Sequence, residues 1–349
     1  MQLLFIMNAS TPFPCPPEEL DAFLATPTEG VLETLSRQQG DVMVLGAGGK
    51  MGATVALMAR DALARLGGNR KVIAVSRFSD AASRARFEGV ETISCDLLNR
   101  DAVQQLPAAE NILFLAGQKF GTSSAPDLTW AMNAVVPAYV AEKFRASRVV
   151  AFSTGCVYPF VSFASSGSRE EDAIGPVGDY ANSCVARERI FTHFSRQHGT
   201  PLCLYRLNYS VEPRYGVLID LAQKILAGEP VDVSMGYVNL IWQRDAVARA
   251  IQCLDVADTP GVPMNVTGPE TVSVRHLAEQ LARCLGKEVC LVGKEAETAW
   301  ISNAGRSFQL WGYPSVSLDQ MIEWTAAWLL QGGSTLNKPT HFEARDGKF

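Results

Sequence analysis

The chain has 349 residues, 47% of them hydrophobic and 19% charged, proportions of an ordinary globular protein rather than a disordered or fibrous one. A net charge of -5 without any run of lysine and arginine argues against a nucleic-acid partner, and no stretch approaches the ~20 apolar residues that span a bilayer. Eight cysteines without a C-x-x-C pair and four separated histidines, His193, His198, His276 and His341, provide neither a zinc site nor a disulfide framework, so no metal is expected.

At the N-terminus, residues 1–7 are apolar but lack a basic leader and stop at Asn8, too short for a secretory signal. The expectation is a soluble, cytoplasmic protein. Residues 1–40 carry helical spacing at Leu20, Phe23 and Leu24 and again at Val31, Leu32 and Leu35, and read as an extension covering the domain. From Asp41 the pattern becomes strand, glycine turn, helix. Apolar strands are expected at 42–45, 72–75, 91–94, 112–115, 149–152 and 202–207, with helices between them. That alternation predicts an α/β fold, a Rossmann-type doubly wound parallel sheet. Several strands are apolar on both faces, as a sheet covered on each side requires. Beyond 207 the regularity breaks, with helices suggested at 217–226, 274–285 and 318–330. The expected division is an N-terminal extension, 1–40; a dinucleotide-binding domain, 41–207 plus about 237–260; a smaller C-terminal substrate lobe, about 208–236 plus 261–331; and an irregular tail, 332–349.

The turn Gly46-Ala47-Gly48-Gly49-Lys50-Met51-Gly52 lies between a strand and a helix, the context that raises a glycine motif above chance. Glycine permits positive φ and close approach of the backbone to a pyrophosphate, and the following helix N-terminus offers unpaired N–H donors. The second strand ends in Ser76-Arg77, where an NAD binder places an acid against the ribose 2′-hydroxyl. A hydroxyl beside a guanidinium suits a 2′-phosphate, so NADP is favoured over NAD; Arg77 stacking on adenine would admit either.

With these pieces in place, residues 41–330 resemble the extended short-chain dehydrogenase/reductase superfamily, the group of NAD-dependent epimerases and dehydratases. Gly46, Gly49 and Gly52 match its G-x-x-G-x-x-G turn. Asp96-Leu97 is similar to the pair that contacts adenine, Leu115-Ala116-Gly117 to the small-residue end of the fourth strand, and Asn133 to an asparagine on the following helix. Phe152-Ser153-Thr154-Gly155-Cys156-Val157-Tyr158 resembles the S-S-x-x-V-Y segment, and the resemblance assigns the catalytic hydroxyl to Thr154. Arg206-Leu207-Asn208 is similar to the R-x-x-N stretch, Asn239 to Asp245 to F-I-x-V-x-D, and Met264 to Gly268 to Y-N-x-G. The resemblance implies a nicotinamide cofactor as hydride carrier, Tyr180 as acid/base, a sugar-like substrate and a possible homodimer.

The departure is Cys184, standing where the family's Tyr-x-x-x-Lys lysine would be. A free tyrosine with pKa ~10 is phenolate only about one part in a thousand at pH 7, and a nearby cation lowers that pKa by roughly 1–3 units. Three readings stay open: a substitute cation, with Lys119 just past the fourth strand preferred over Arg187; a slower site; or a lobe that binds without turnover. The functional expectation is an NAD(P)-dependent oxidoreductase or epimerase acting on a carbohydrate or sugar-derived acid. The alternatives are a non-catalytic NAD(P) sensor and a nucleotide-sugar 4-epimerase or dehydratase proper. Cys156, Asn208 and Arg214 are the substrate-side candidates. Arg206 and Arg275 are further anion grips, each more often a salt-bridged residue. The loop 165–172 either touches substrate or is solvated. Cys156 and Cys184 read best as small buried thiols near the nicotinamide end, ahead of a redox pair.

Overall fold

The computed structural model describes residues 12–79, 81–122 and 124–348; the apolar stretch 1–7 lies outside them. The elements in chain order are α1 (Leu20–Ala25), α2 (Glu29–Arg37), β1 (Val42–Leu45), α3 (Gly52–Leu66), β2 (Val72–Ser76), α4 (Ala81–Ala85), β3 (Glu91–Ser94), α5 (Arg100–Gln104), β4 (Asn111–Phe114), α6 (Pro126–Trp130), a π-helical turn (Ala131–Val135), α7 (Val136–Lys143) and β5 (Arg148–Thr154). They continue as β6 (Val161–Ser162), α8 (Gly178–His198), β7 (Leu202–Leu207), β8 (Ser210–Val211), α9 (Val217–Ala227), β9 (Val231–Asp232), β10 (Tyr237–Val238), β11 (Ile241–Trp242), α10 (Gln243–Val256), β12 (Val262–Val266), β13 (Val272–Ser273), α11 (Val274–Leu285), β14 (Leu291–Val292), β15 (Thr298–Ala299), α12 (Gly305–Trp311) and α13 (Leu318–Leu330).

Seven parallel strands form the central sheet in the order β12-β7-β5-β4-β1-β2-β3. Strand residues alternate between its two faces. Val42 and Val44 pack under α3, α10 and α2, whereas Met43 and Leu45 pack under α5, α7 and α8. This period of two explains why most of the strands are apolar on both faces: each face has its own helical layer. The edge strand β3 is half-exposed. The order reverses between β1 and β4, which places a ligand crevice outside the carboxyl ends of those strands.

Two features depart from the sequence reading. The outermost strand, β12, lies in a stretch that the pattern placed in the smaller lobe, and its Pro263 is admissible because an edge strand leaves one side unpaired. Conversely, β10 pairs with β13 of the smaller lobe rather than with the main sheet.

The smaller lobe packs α9, α11 and α13 around a core that includes Leu218, Leu221, Leu277, Leu281, Trp324 and Trp328. Both terminal segments join it. Phe13, Leu20 and Leu24 enter from the N-terminal extension, and Phe342 enters from the C-terminal tail, which is irregular but not loose. The extension is also tied to α10, where Asp255 accepts from Thr34 Oγ1 at 2.6 Å, Arg37 Nη2 at 2.6 Å and Gln38 Nε2 at 2.8 Å.

Candidate active site

The nucleotide end is made mostly of backbone. After β1, the amides of Gly46 and Ala47 both donate to Val75 O, at 2.9 and 3.0 Å, folding the turn over the end of β2. Gly46 has φ +86, and a Cβ there would lie 2.5 Å from the amide nitrogen of Ala116, so the ends of β1 and β4 touch only because residue 46 has no side chain. At Gly52, the first residue of α3, a Cβ would lie 2.6 Å from Ala47 Cα. Ser76 Oγ sits beside Gly48, with Arg77 exposed next to it. Cys95 N donates to Ser76 O at 2.9 Å, bringing Asp96 and buried Leu97 to the same edge.

Gly46, Gly48, Gly49, Lys50, Met51, Gly52, Ser76, Arg77, Asp96, Leu97, Ala116 and Gly117 are thus gathered along one rim. A close-approach turn at the start of a 15-residue helix fits a dinucleotide. Lys50 adds a titratable amine. Its Nζ lies 3.0 Å from the Tyr215 ring centroid and 4.5 Å from that of Phe120, and among the described residues no carboxylate reaches it within ion-pair distance. Burial, then the ammonium of Lys119, push Lys50 down to about 6, so its amine is largely neutral at pH 7 and an anion bound beside it would favour the charged form; the ring faces act in the same direction as the anion.

The chemical end is made of side chains from separate elements. Thr154 closes β5, Tyr180 lies in the first turn of α8, and their side chains hydrogen-bond. Burial pushes the Tyr180 phenol well above 10, the Cys184 and Cys156 thiols add to that, and Arg187 together with the Thr154 bond opposes it. Cys184, one helical turn on, is bonded to Tyr180 and is itself driven by burial up to about 11, so it stays a neutral thiol. The space of the family's lysine therefore carries no charge.

Two cations flank that space. Arg187, 5% exposed, donates from Nη1 to Phe152 O at 2.7 Å and from Nη2 to Asn133 Oδ1 at 2.6 Å, and its Nε has no partner. It lies three residues past Cys184 on α8, so the helix turns it back toward the thiol. Asn133 sits in the π-helical turn, an irregularity frequent at functional sites. It accepts from Gln118 N and donates to Gln118 O and Ser183 Oγ, each at 2.9 Å. Lys119 stands on the other side. Its Nζ donates to Thr340 O at 3.3 Å, and burial pushes its ammonium down while Cys156, Asp220 and Cys184 pull it up. Sequence reasoning ranked Arg187 below Lys119; the structure brings both to the site, and Arg187 is the one whose field acts on Tyr180. The signal was the seven-residue spacing from Tyr180, two helical turns on one face.

Beneath the site, Arg206 and Glu188 form a buried two-pronged pair at 2.9 and 2.7 Å, extended to Ser153 Oγ (2.6 Å) and Tyr158 Oη (2.6 Å), which stitches α8 to β5 and β7. Arg206 is therefore structural, not a substrate grip. Arg214 is likewise engaged, with Asp21 at 2.8 Å and Glu212 at 3.1 Å, and Arg275 with Glu295 at 2.6 Å. Asn208 is buried and donates to Trp300 O at 3.2 Å, while Cys156 is buried beside Lys119 and Tyr180. The loop 165–172 is anchored at Ser168, which is buried, and at the Glu170 carboxylate, which accepts from Asn265 N at 2.9 Å, while Ser165, Ser166, Arg169, Glu171 and Asp172 are exposed. No group of metal-ligating side chains occurs among the described residues.

The fold that carries this arrangement has counterparts. The sequence profile of the NAD dependent epimerase/dehydratase family matches residues 42–248. The chain belongs to that family. No curated protein sequence matches it. Among solved structures, this epimerase/dehydratase is similar to MoeE5 in complex with UDP-glucose and NAD, at 19% identity and TM-score 0.68, covering 84% of this chain and 99% of that one. It is similar to UDP-glucose 4-epimerase of Thermus thermophilus in complex with NAD, at 19% identity and TM-score 0.68, covering 82% and 97%. A third is an epimerase of Methanothermobacter thermautotrophicus, at 17% identity and TM-score 0.73, covering 88% and 97%. These likenesses establish the fold, the α/β sheet with its flanking helices. Among the described residues no helix is long and apolar enough to cross a membrane.

Proposed function

We propose that this family member is an NAD(P)-dependent oxidoreductase or epimerase acting on a carbohydrate or sugar-derived acid. The observation that carries the reading is the hydrogen-bonded Tyr180–Thr154 pair at the carboxyl edge of the sheet, beside the glycine rim. Gly46, Gly48, Gly49 and Gly52 would hold the pyrophosphate with Lys50, and Ser76, Arg77, Asp96 and Leu97 the adenosine. The bound nicotinamide would supply two-electron hydride exchange. Tyr180 would pass a proton to or from a substrate oxygen while Thr154 hydrogen-bonds that oxygen. Because burial keeps Tyr180 protonated, it is set first as an acid, donating to a carbonyl. Serving as base requires the positive field of Arg187, with Lys119 as a second cation. The absence of an acid after β2 and the presence of Arg77 support NADP over NAD.

The test is a titration of the purified protein with NADH and NADPH by fluorescence, followed by absorbance at the reduced-nicotinamide band with a panel of sugars and sugar acids. Tighter NADPH binding and turnover with at least one sugar are expected. Binding of neither coenzyme would overturn the reading.

A further inference from the structure

The C-terminal segment 338–347 runs as a strap across the substrate side of the site. Its Thr340 carbonyl accepts from Lys119 Nζ at 3.3 Å, and its Thr340 amide and hydroxyl both donate to Asp220 of α9, the amide at 2.8 Å. Phe342 is 2% exposed in the core of the smaller lobe, and Glu343 faces Lys224 at 3.7 Å. Arg345 donates to Thr298 O at 2.6 Å and Thr298 Oγ1 at 2.8 Å, with its guanidinium 4.3 Å from the Phe160 ring centroid. Gly347 then packs on Val177 and Gly178, so closely that a Cβ at Gly347 would lie 2.7 Å from Gly178 Cα. Gly178 begins the helix that carries Tyr180 two residues later. The strap thus touches the loop after β4, α9, β15 and the start of α8, the walls around Tyr180 and Lys119.

Similar structures named for UDP-glucose are matched over 97–99% of their length but only 82–84% of this chain. Roughly one-sixth of this chain (100 − 84 = 16%) is extra, and the family match begins only at residue 42 and ends at 248. A nucleoside diphosphate also needs a cationic grip. On this side Arg214 and Arg275 are held by carboxylates and Arg345 by Thr298; the strap itself engages Lys119 through the Thr340 carbonyl and Lys224 through its own Glu343, and it meets the Asp220 carboxylate.

We propose that the strap is a built-in specificity element, filling the cleft beyond Tyr180 so that the full chain takes a compact sugar or sugar acid and shuts out one carrying a nucleoside diphosphate. This rests on the oxidoreductase reading above and names its substrate class.

The test compares the intact chain with one carrying a protease site inserted between Asn337 and Lys338, cut after folding and washed free of the strap peptide. UDP-glucose is titrated calorimetrically into each with saturating NAD. The cut chain is expected to bind at least 30-fold more tightly, and the uncut Phe342→Ala, Arg345→Ala double variant, whose strap is loosened without cutting, to lie between. Equal affinity in intact and cut chains, or no binding by either, overturns the proposal. Coenzyme binding is followed separately by NADH fluorescence. Its failure in the intact chain sinks the oxidoreductase reading, while the UDP-glucose comparison still reports on the strap.

Discussion

The glycine rim and the Tyr180 pocket, the proposed nucleotide and substrate sides, are built in opposite ways. The glycine turn at the centre of the rim comes from one continuous strand-turn-helix, 42–66, whose chemistry is backbone N–H and the absence of Cβ atoms. The pocket is assembled from β5, α8, the loop after β4, α9 and a segment some 160 residues beyond Tyr180, and its chemistry is carried by side chains. A backbone device survives most changes of neighbour. A side-chain device depends on its neighbours: with the neutral Cys184 one turn after Tyr180, the proposed chemistry draws on the charge of Arg187, with Lys119 nearby.

Tyr180→Phe breaks the pocket and spares the rim. Turnover in a sugar assay should fall about 10²–10⁴-fold, the usual weight of a general acid–base, while NADH affinity stays within about twofold. Gly46→Val does the reverse: a β-branched residue at φ +86 against Ala116 should weaken NADH binding by on the order of 100-fold in a fluorescence titration. Cys184→Lys sharpens the comparison by restoring a cation beside Tyr180. The phenol's pKa should drop by roughly 1–3 units, so the acidic limb of the pH–rate profile for sugar oxidation moves to lower pH. A profile that does not move would deny the coupling.

The smallest effect concerns Lys50. Its ammonium, pushed down to about 6, is neutral above that pH, and an anionic ligand raises it again, so binding takes up a proton. Coenzyme affinity should therefore fall with rising pH from 6 upward, by at most about tenfold per unit, and Lys50→Met should flatten that slope. Calorimetry at pH 6, 7 and 8 reads both.

Legibility in the sequence follows the same divide. Five of the six expected strands were visible as apolar runs because they are buried on both faces, the half-exposed edge strand β3 being the exception, and the glycine turn because its residues are contiguous. β12 was missed as a strand: Val262-Pro263-Met264-Asn265-Val266 contains a proline that only an edge position tolerates. The two-residue ribbons β6 with β15 and β9 with β14 are too short for any period to show. Arg187 was underrated since its worth depends on burial and on Asn133, fifty-four residues away. The tail was read as irregular from its polarity, and its backbone is irregular, but Phe342 and the Thr340 bond to Asp220 pin it across the cleft.

What the amino-acid order determined alone is the alternation of strand and helix, and the contiguous glycine turn at 46–52 was legible in it because its residues are neighbours. Which cations lie near Tyr180 and which arginines are already spent on carboxylates were decided only by tertiary packing. The reason is physical: electrostatic fields and excluded volume act between whatever atoms the fold brings close, however far apart they lie along the chain.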